Sequence, residues 1–216
     1  MVLRLILSLL RKMTMNKQSK LIHGIGSRSK KYPAYLQGKP TKEYSLWVAM
    51  LSRCTNKYQK MWPTYIGVTC SENFKSFEYF YEWCQQQIGF KNKDDKGNYW
   101  ELDKDTIIHG NKIYSEDVCA FVPKDINYIF LKRGARRGEH PIGVYWNKGR
   151  HKFHVICSNG RGYRKYLGLF SDKQEAFQTY KIFKEAYIKQ VAEEYKHQLD
   201  YRVYAALLDY EVNIND

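Results

Sequence analysis

Acidic residues are missing from two long stretches of this chain. Residues 1–40 hold nine Lys/Arg and no Asp/Glu, and residues 132–165 hold ten Lys/Arg against the single Glu139. Within an overall charge of +14, this asymmetry points to surfaces that meet a polyanion, because lysine and arginine displace counterions from a phosphate backbone. It says nothing about sequence specificity. Cysteine pairs are missing too. The five cysteines (Cys54, Cys70, Cys84, Cys119, Cys157) are an odd number without a C-x-x-C motif. That argues against a disulfide framework, lends no spacing support to a zinc site, and favours a reducing compartment with thiols packed as small hydrophobes. Long hydrophobic runs are also absent. Met1–Leu10 is apolar except for Arg4 and Ser8, too short to span a bilayer, and without an evident signal-peptidase site. It reads as a short amphipathic helix or, since Met13 and Met15 follow, as an artefact of start-codon choice. The expectation is a soluble protein with no membrane partner.

What is present is aromatic. Aromatics make up 16% of the chain, with 19 tyrosines, which excludes disorder over most of the length. In 216 residues there is room for one large domain or two small ones, each with a real core. Residues 16–40 read as an extended basic arm, broken by Gly24, Gly26, Pro33 and Pro40 and charged by Arg28, Lys30 and Lys31. Thr41 caps a helix whose Leu46, Trp47, Met50 and Leu51 form one apolar face. Arg53 and Cys54 end it, with Thr55-Asn56 as the exit. Residues 63–68 are short and β-like. A second helix opens at Ser71 or Glu72, carries Phe74, Phe77, Phe80, Tyr81, Trp83 and Cys84, and stops at Gly89.

The polar residues then crowd together. Between Trp100 and Asn127 the chain places Asp103, Lys104, Asp105, His109, Asn111, Lys112 and Cys119 among short apolar runs. Trp100 and Leu102 read as one strand and Ile113-Tyr114 as another, with Gly110-Asn111 as the turn. Pro123, followed by Ile126, Ile129 and Leu131, opens a short helix.

These residues resemble a known group. Trp47, Met50, Arg53-Cys54, Tyr65-Ile66-Gly67-Val68, Cys70, Phe74 and Phe77 come first. Leu102-Asp103-Lys104, Gly110-Asn111, Tyr114-Ser115, Cys119 and Asn127 complete the set. Over roughly residues 44–131 the order is similar to HNH homing and nicking endonucleases carried by phages and mobile elements. The resemblance implies a ββα-metal finger acting in the cytoplasm of a bacterial host. Asp103 and Asn127 would hold one divalent cation, Mg²⁺ or Mn²⁺, through oxygen ligands. One position departs from the pattern: where the family strand ends in Asp-His, this chain has Asp103-Lys104. A protonated lysine cannot accept a proton, so Lys104 would serve as base only if its charge were suppressed. Otherwise it would neutralise the scissile phosphate. His109 is the alternative base. The bland alternative is a degenerate finger kept for folding and DNA contact.

Lys132 to Gly138 is a basic, glycine-punctuated linker. Beyond it Gly143-Val144-Tyr145-Trp146, residues 153–157 and Tyr166-Leu167-Gly168-Leu169-Phe170 have strand character. Ser171 or Asp172 then caps a long helix with Ala176, Phe177, Tyr180, Phe183, Tyr187, Val191 and Tyr195 on one face. Over residues 141–192 this resembles the plant ethylene-response-factor-type DNA-binding domain, which also occurs fused behind phage HNH nucleases. The resemblance implies a sheet laid in the major groove, with Trp146, Lys148, Arg150, Lys152, Arg161, Arg164 and Lys165 as contacts. Residues 197–212 read as a final helix.

The expected fold is therefore α+β: an HNH-like ββα finger with flanking helices, then a three-stranded antiparallel sheet with a long helix. The expected segments are a basic arm (1–40), an HNH-like domain (41–131), a linker (132–140), a DNA-binding domain (141–196) and a C-terminal helix (197–216). The expected activity is sequence-specific, metal-dependent hydrolysis of double-stranded DNA by a monomer. The alternative is a phage or mobile-element DNA-binding regulator without catalysis. An RNA-binding or ribosome-associated protein is allowed by charge but has no motif behind it.

Overall fold

The computed structural model describes residues 21–130, 139–159 and 162–215. The chain is a mixed α+β protein and divides into two compact units, Met1–Glu82 and Trp83–Asp216. Both the segment expected to form the finger's strands and helix and the three-stranded sheet belong to the second unit. The linker expected at 132–140 lies mostly outside the described residues, as does Met1–Leu10.

In the first unit a hairpin of β1 (Tyr35–Leu36) and β2 (Lys39–Pro40) leads into helix α1 (Lys42–Arg53). Thr41 caps α1 by accepting the Tyr44 N–H at 3.2 Å. Trp47, Met50 and Leu51, spaced i, i+3, i+4, are buried on its inner face, and the Trp47 indole donates to the Phe74 carbonyl at 2.8 Å. The segment before β1 is folded onto this core, at variance with a free basic arm over its described part. At Gly26 a Cβ would stand 2.2 Å from Leu51 Cδ1 and 2.7 Å from Trp47, so only glycine lets the backbone come so close. Ser27 exchanges backbone hydrogen bonds with Lys75 and Phe77, Lys31 pairs with Glu82 at 2.6 Å, and Tyr32 stacks on Tyr81.

Two local expectations need revision. Thr55 leaves α1 as expected, but its Oγ1 also accepts the Tyr58 N–H and caps a further helix, α2 (Asn56–Met61). Residues 63–68 are not β-like, because Pro63–Tyr65 forms a 3₁₀ turn with Tyr65 packed edge-on against Tyr58. Strand β3 (Thr69–Cys70) follows. Ser71 Oγ accepts the Phe74 N–H at 3.2 Å over a second 3₁₀ turn, Asn73–Lys75, so helix α3 (Phe77–Gln86) starts later than the sequence suggested.

In the second unit β4 (Glu101–Asp103) pairs antiparallel with β6 (Ala120–Val122), Asp103 opposite Ala120. The sequence had offered Ile113–Tyr114, here β5, as the second strand of the finger. The uniformly buried Ala120-Phe121-Val122 takes that place, since a strand covered on both faces shows no alternation to read. Helix α4 (Lys124–Ile129) follows at once behind Pro123 and buries Ile126 and Ile129.

Strands β7 (Val144–Asn147), β8 (Lys152–Ser158) and β9 (Arg164–Phe170) form an antiparallel sheet in that order. Helix α5 (Lys173–Tyr195), capped by Asp172, packs across it. Val144, Val155, Cys157, Ala176, Phe177 and Tyr180 make the core between them. Gly143, at φ 78°, has the Tyr180 ring where a Cβ would stand, 2.0 Å away. Helix α6 (Tyr201–Leu208) closes the fold. Its Arg202 donates to the carbonyls of Asp117 at 2.7 Å and Cys119 at 3.4 Å, anchoring the helix beside β6. No helix among the described residues is long and apolar enough to cross a membrane.

Candidate functional site

The finger's polar residues fall into two groups. One group builds the loop after β4. The Asp103 Oδ2 accepts the Asp105 N–H at 3.0 Å, the Thr106 N–H at 2.7 Å and the Thr106 hydroxyl at 2.6 Å. Burial, and then the negative charge of Asp105, push the Asp103 carboxyl above the usual aspartate range, although the Thr106 hydroxyl pulls the other way. Lys104 is turned inward, the residue only 8% exposed. It donates to Asp105 Oδ2 at 3.0 Å and to the Asn111 carbonyl at 2.9 Å, above the Tyr114 ring. Asn111 returns the bond, donating to the Lys104 carbonyl at 2.7 Å. Gly110, at φ 75°, gives the turn its left-handed step. Lys104 is thus a loop clamp with a paired charge.

The second group faces outward from β4 and α4. Side chains alternate along a strand, so Glu101 and Asp103 share one side while Leu102 is buried on the other. Asn127 on α4 donates its amide to Glu101 Oε2 at 2.9 Å. Lys124 is one turn away from Asn127 on the same helix, and the Glu101 carboxylate is among the charges that help hold it protonated, after its bond to Tyr128. The structure therefore links Asn127 to Glu101, where the sequence had paired it with Asp103. Glu101 and Lys124 were missed. The signal for Glu101 was the period of two: a carboxylate two residues before Asp103 on a strand must share its face.

The His109 ring packs edge-on against Phe130 and Tyr210, with centroids 5.2 and 4.9 Å away, and those two rings meet each other at 4.9 Å. It is the exposed member of an aromatic cluster.

A divalent cation can be tested against this chemistry. All three bonds to Asp103 end on Oδ2, so Oδ1 is the oxygen that would be offered, and Asn127 uses its amide nitrogen on Glu101, leaving its carbonyl oxygen as donor. Two protein oxygens, completed by phosphate and water, suit a hard octahedral ion such as Mg²⁺. Among the described residues no three His, Cys, Asp or Glu side chains gather into a metal-binding group.

In the sheet, the register sorts the predicted contacts. His154 stands between Tyr145 and Leu169, Ile156 opposite Tyr166, Asn147 opposite Lys152, and Ser158 opposite Arg164. This face turns away from α5. The other face carries Val144, Val155 and Cys157 into the core. Lys152 and Arg164 therefore lie on the open face, and Lys148 and Arg150 on the exposed β7–β8 turn, where Asn147 Oδ1 accepts the Arg150 N–H at 3.1 Å. Two predicted contacts do not. Trp146 pairs with Phe153 on the helix side, with ring centroids 4.8 Å apart, and Lys165 lies over Phe183 of α5 at 5.0 Å. Arg161 lies outside the described residues. Tyr145, His154 and Tyr166 occupy the open face instead. A bulge between Val155 and Ile156 shifts the register, so simple alternation along β9 misplaces Lys165.

Compared with known protein families, with curated proteins and with solved structures, the chain finds no match in any of the three.

Proposed function

We propose that the chain is a sequence-specific DNA endonuclease of the HNH homing or nicking type, in which the sheet addresses a duplex and the finger hydrolyses a phosphodiester. One observation carries the reading: β4, β6 and α4 form a ββα unit in which Asn127 of α4 bonds Glu101 of β4, two residues before Asp103 on the same strand. In this proposal Asp103 and Asn127 hold a divalent cation, which polarises the scissile phosphate when bound. Lys124 neutralises charge on the same phosphate. Glu101, beside Asn127, is the group placed to take a proton from water. One finger per chain means that a monomer cuts one strand.

Asp103→Asn tests this with the least disturbance. The amide keeps one oxygen acceptor for the Thr106 bonds but weakens the cation site. With duplex DNA and Mg²⁺ or Mn²⁺, cleavage should fall by a factor on the order of 10² or more while binding persists. An Asp103→Asn protein that cuts like its parent would remove the metal site from the finger. The pH dependence has a defined sign. Because the folded Asp103 carboxyl is raised, the deprotonated form that binds a cation is lost on acidification earlier than for an ordinary aspartate, so activity should fall at a correspondingly higher pH.

A second reading has its own support. Asp103 Oδ2 is wholly engaged in the loop and Lys104 is paired inward, which suits a finger retained as scaffold in a non-catalytic DNA-binding regulator. Unaltered DNA in every divalent cation, with tight binding, would select it.

A further inference from the structure

Two of the five thiols stand apart from the others. Cys84, Cys119 and Cys157 are buried, whereas Cys54 and Cys70 are only half-buried. Cys54 caps the end of α1, with its N–H on the carbonyls of Leu51 and Ser52. Cys70 ends β3. Gln59 clamps the two stretches together: its amide donates to the Arg53 carbonyl at 3.3 Å and the Val68 carbonyl at 2.8 Å. Its own oxygen accepts the Gly67 N–H at 3.1 Å. Across that clamp the Cys54 and Cys70 side chains are hydrogen-bonded to each other, with Lys75 near enough for its charge to act on Cys70.

We propose that Cys54 and Cys70 form a reversible redox pair that closes residues 54–70 into a loop when the protein meets a hydroperoxide. The inference does not rest on the nuclease reading. Cys70 is the attacking thiol. The hydrogen bond from Cys54 holds its pKa below the ordinary thiol value, assisted by Lys75 and opposed by burial, and the thiolate is the nucleophile in such chemistry. The Cys70 sulfur attacks the peroxide O–O bond and becomes a sulfenic acid, while the other oxygen leaves as alcohol or water after taking up a proton. The Cys54 sulfur then attacks the sulfenyl sulfur, the S–S bond forms, and the hydroxyl departs with the Cys54 proton as water. Two thiols are oxidised and one peroxide is reduced. A cellular dithiol or glutathione-type thiol reverses the step by exchange. An isolated pair suits this better than a metal site, since no group of three or more His, Cys, Asp or Glu side chains gathers among the described residues.

The loop so closed holds α2 and the 3₁₀ turn, and within it Met61, Trp62 and Ile66 are 64%, 52% and 62% exposed. It also holds Lys57 and Lys60, two points of tryptic attack.

The test treats the full-length reduced protein with stoichiometric hydrogen peroxide and maps its peptides by mass spectrometry. A Cys54–Cys70 disulfide is expected, with the other three thiols unmodified and tryptic cleavage at Lys57 and Lys60 slowed several-fold. Cys54→Ser should accumulate a Cys70 sulfenic acid trapped by dimedone, and Cys70→Ser should leave Cys54 largely unmodified. The proposal is overturned if the wild-type protein yields no Cys54–Cys70 link, or if Cys70 reacts no faster than Cys84. One tightly bound zinc per chain that protects both thiols would overturn it equally.

Discussion

Lysines at two buried positions separate what residue type suggests from what surroundings impose. Lys104 occupies the place where the family resemblance puts a histidine base, yet its ammonium is spent on Asp105 and on the Asn111 carbonyl. Lys104→Met should therefore loosen the 104–113 loop. Lys184 was invisible to apolar periodicity because it interrupts the helix face that α5 buries. It is 5% exposed and donates to the Ser158 carbonyl at 3.3 Å. Burial lowers its pKa below the ordinary lysine value, with Cys157 opposing. The unfolded chain keeps its proton up to the ordinary lysine pKa of about 10.4, whereas the folded chain releases it earlier. Stability should thus rise with pH between the depressed and the ordinary value. Lys184→Met should abolish that rise, and at neutral pH should lie within about 2 kcal/mol of the parent, since the lost hydrogen bond and the removed buried charge offset each other. Urea titrations across alkaline pH check this. A variant with the same pH slope as the parent would contradict it.

At the scale of elements, the start of α5 at Ser171 or Asp172, the three strands of the antiparallel sheet and the helix behind Pro123 were legible, because capping residues, alternation and turn signals are local. Three features were not. The partner of β4 was hidden because Ala120-Phe121-Val122 is buried throughout. The faces of Trp146 and Lys165 were hidden by pairing and by a bulge, which are non-local. The segment from Leu21 to Tyr32 looked like a free arm because its anchors, Gly26 against Trp47 and Ser27 against Lys75, are set by distant residues. The sheet assignment makes a divided prediction. Arg150, Lys152 and Arg164 changed together to alanine should weaken duplex binding and lower the log–log salt slope by about 0.9 for each phosphate no longer neutralised. Lys165→Ala should leave the slope unchanged, because that lysine covers Phe183. Equal effects from the two variants, read by fluorescence anisotropy over a salt series, would place the binding face wrongly. Arg202 on α6 makes a stability prediction. Asp200 orients it with a 2.8 Å ion pair, and it satisfies carbonyls just before β6. Arg202→Ala should cost about 1.5–3 kcal/mol in chemical denaturation, as expected for hydrogen bonds from a charged donor. A loss below about 0.5 kcal/mol would make the anchor incidental.

On the whole-molecule scale, a charge of +14 and an open sheet face bearing Tyr145, Lys152, Arg164 and Tyr166 suit a long polyanion. The Asn127–Glu101 contact between α4 and β4, with Asp103 ending the same strand, adds candidate chemistry on the same compact unit. In the sequence the candidate chemistry was legible as residue types and order. Which carboxylate meets Asn127 was not, because that contact joins α4 to β4 across 26 residues of sequence. Binding and cutting separate cleanly in one measurement. The protein is incubated with a supercoiled DNA library and Mg²⁺ or Mn²⁺, and every new strand end is mapped by sequencing. The account predicts nicks confined to one strand at a fixed distance from a common sequence, and their loss with Asp103→Asn at unchanged binding. Bound DNA that stays intact in every divalent cation, or breaks scattered without a common sequence, would contradict it.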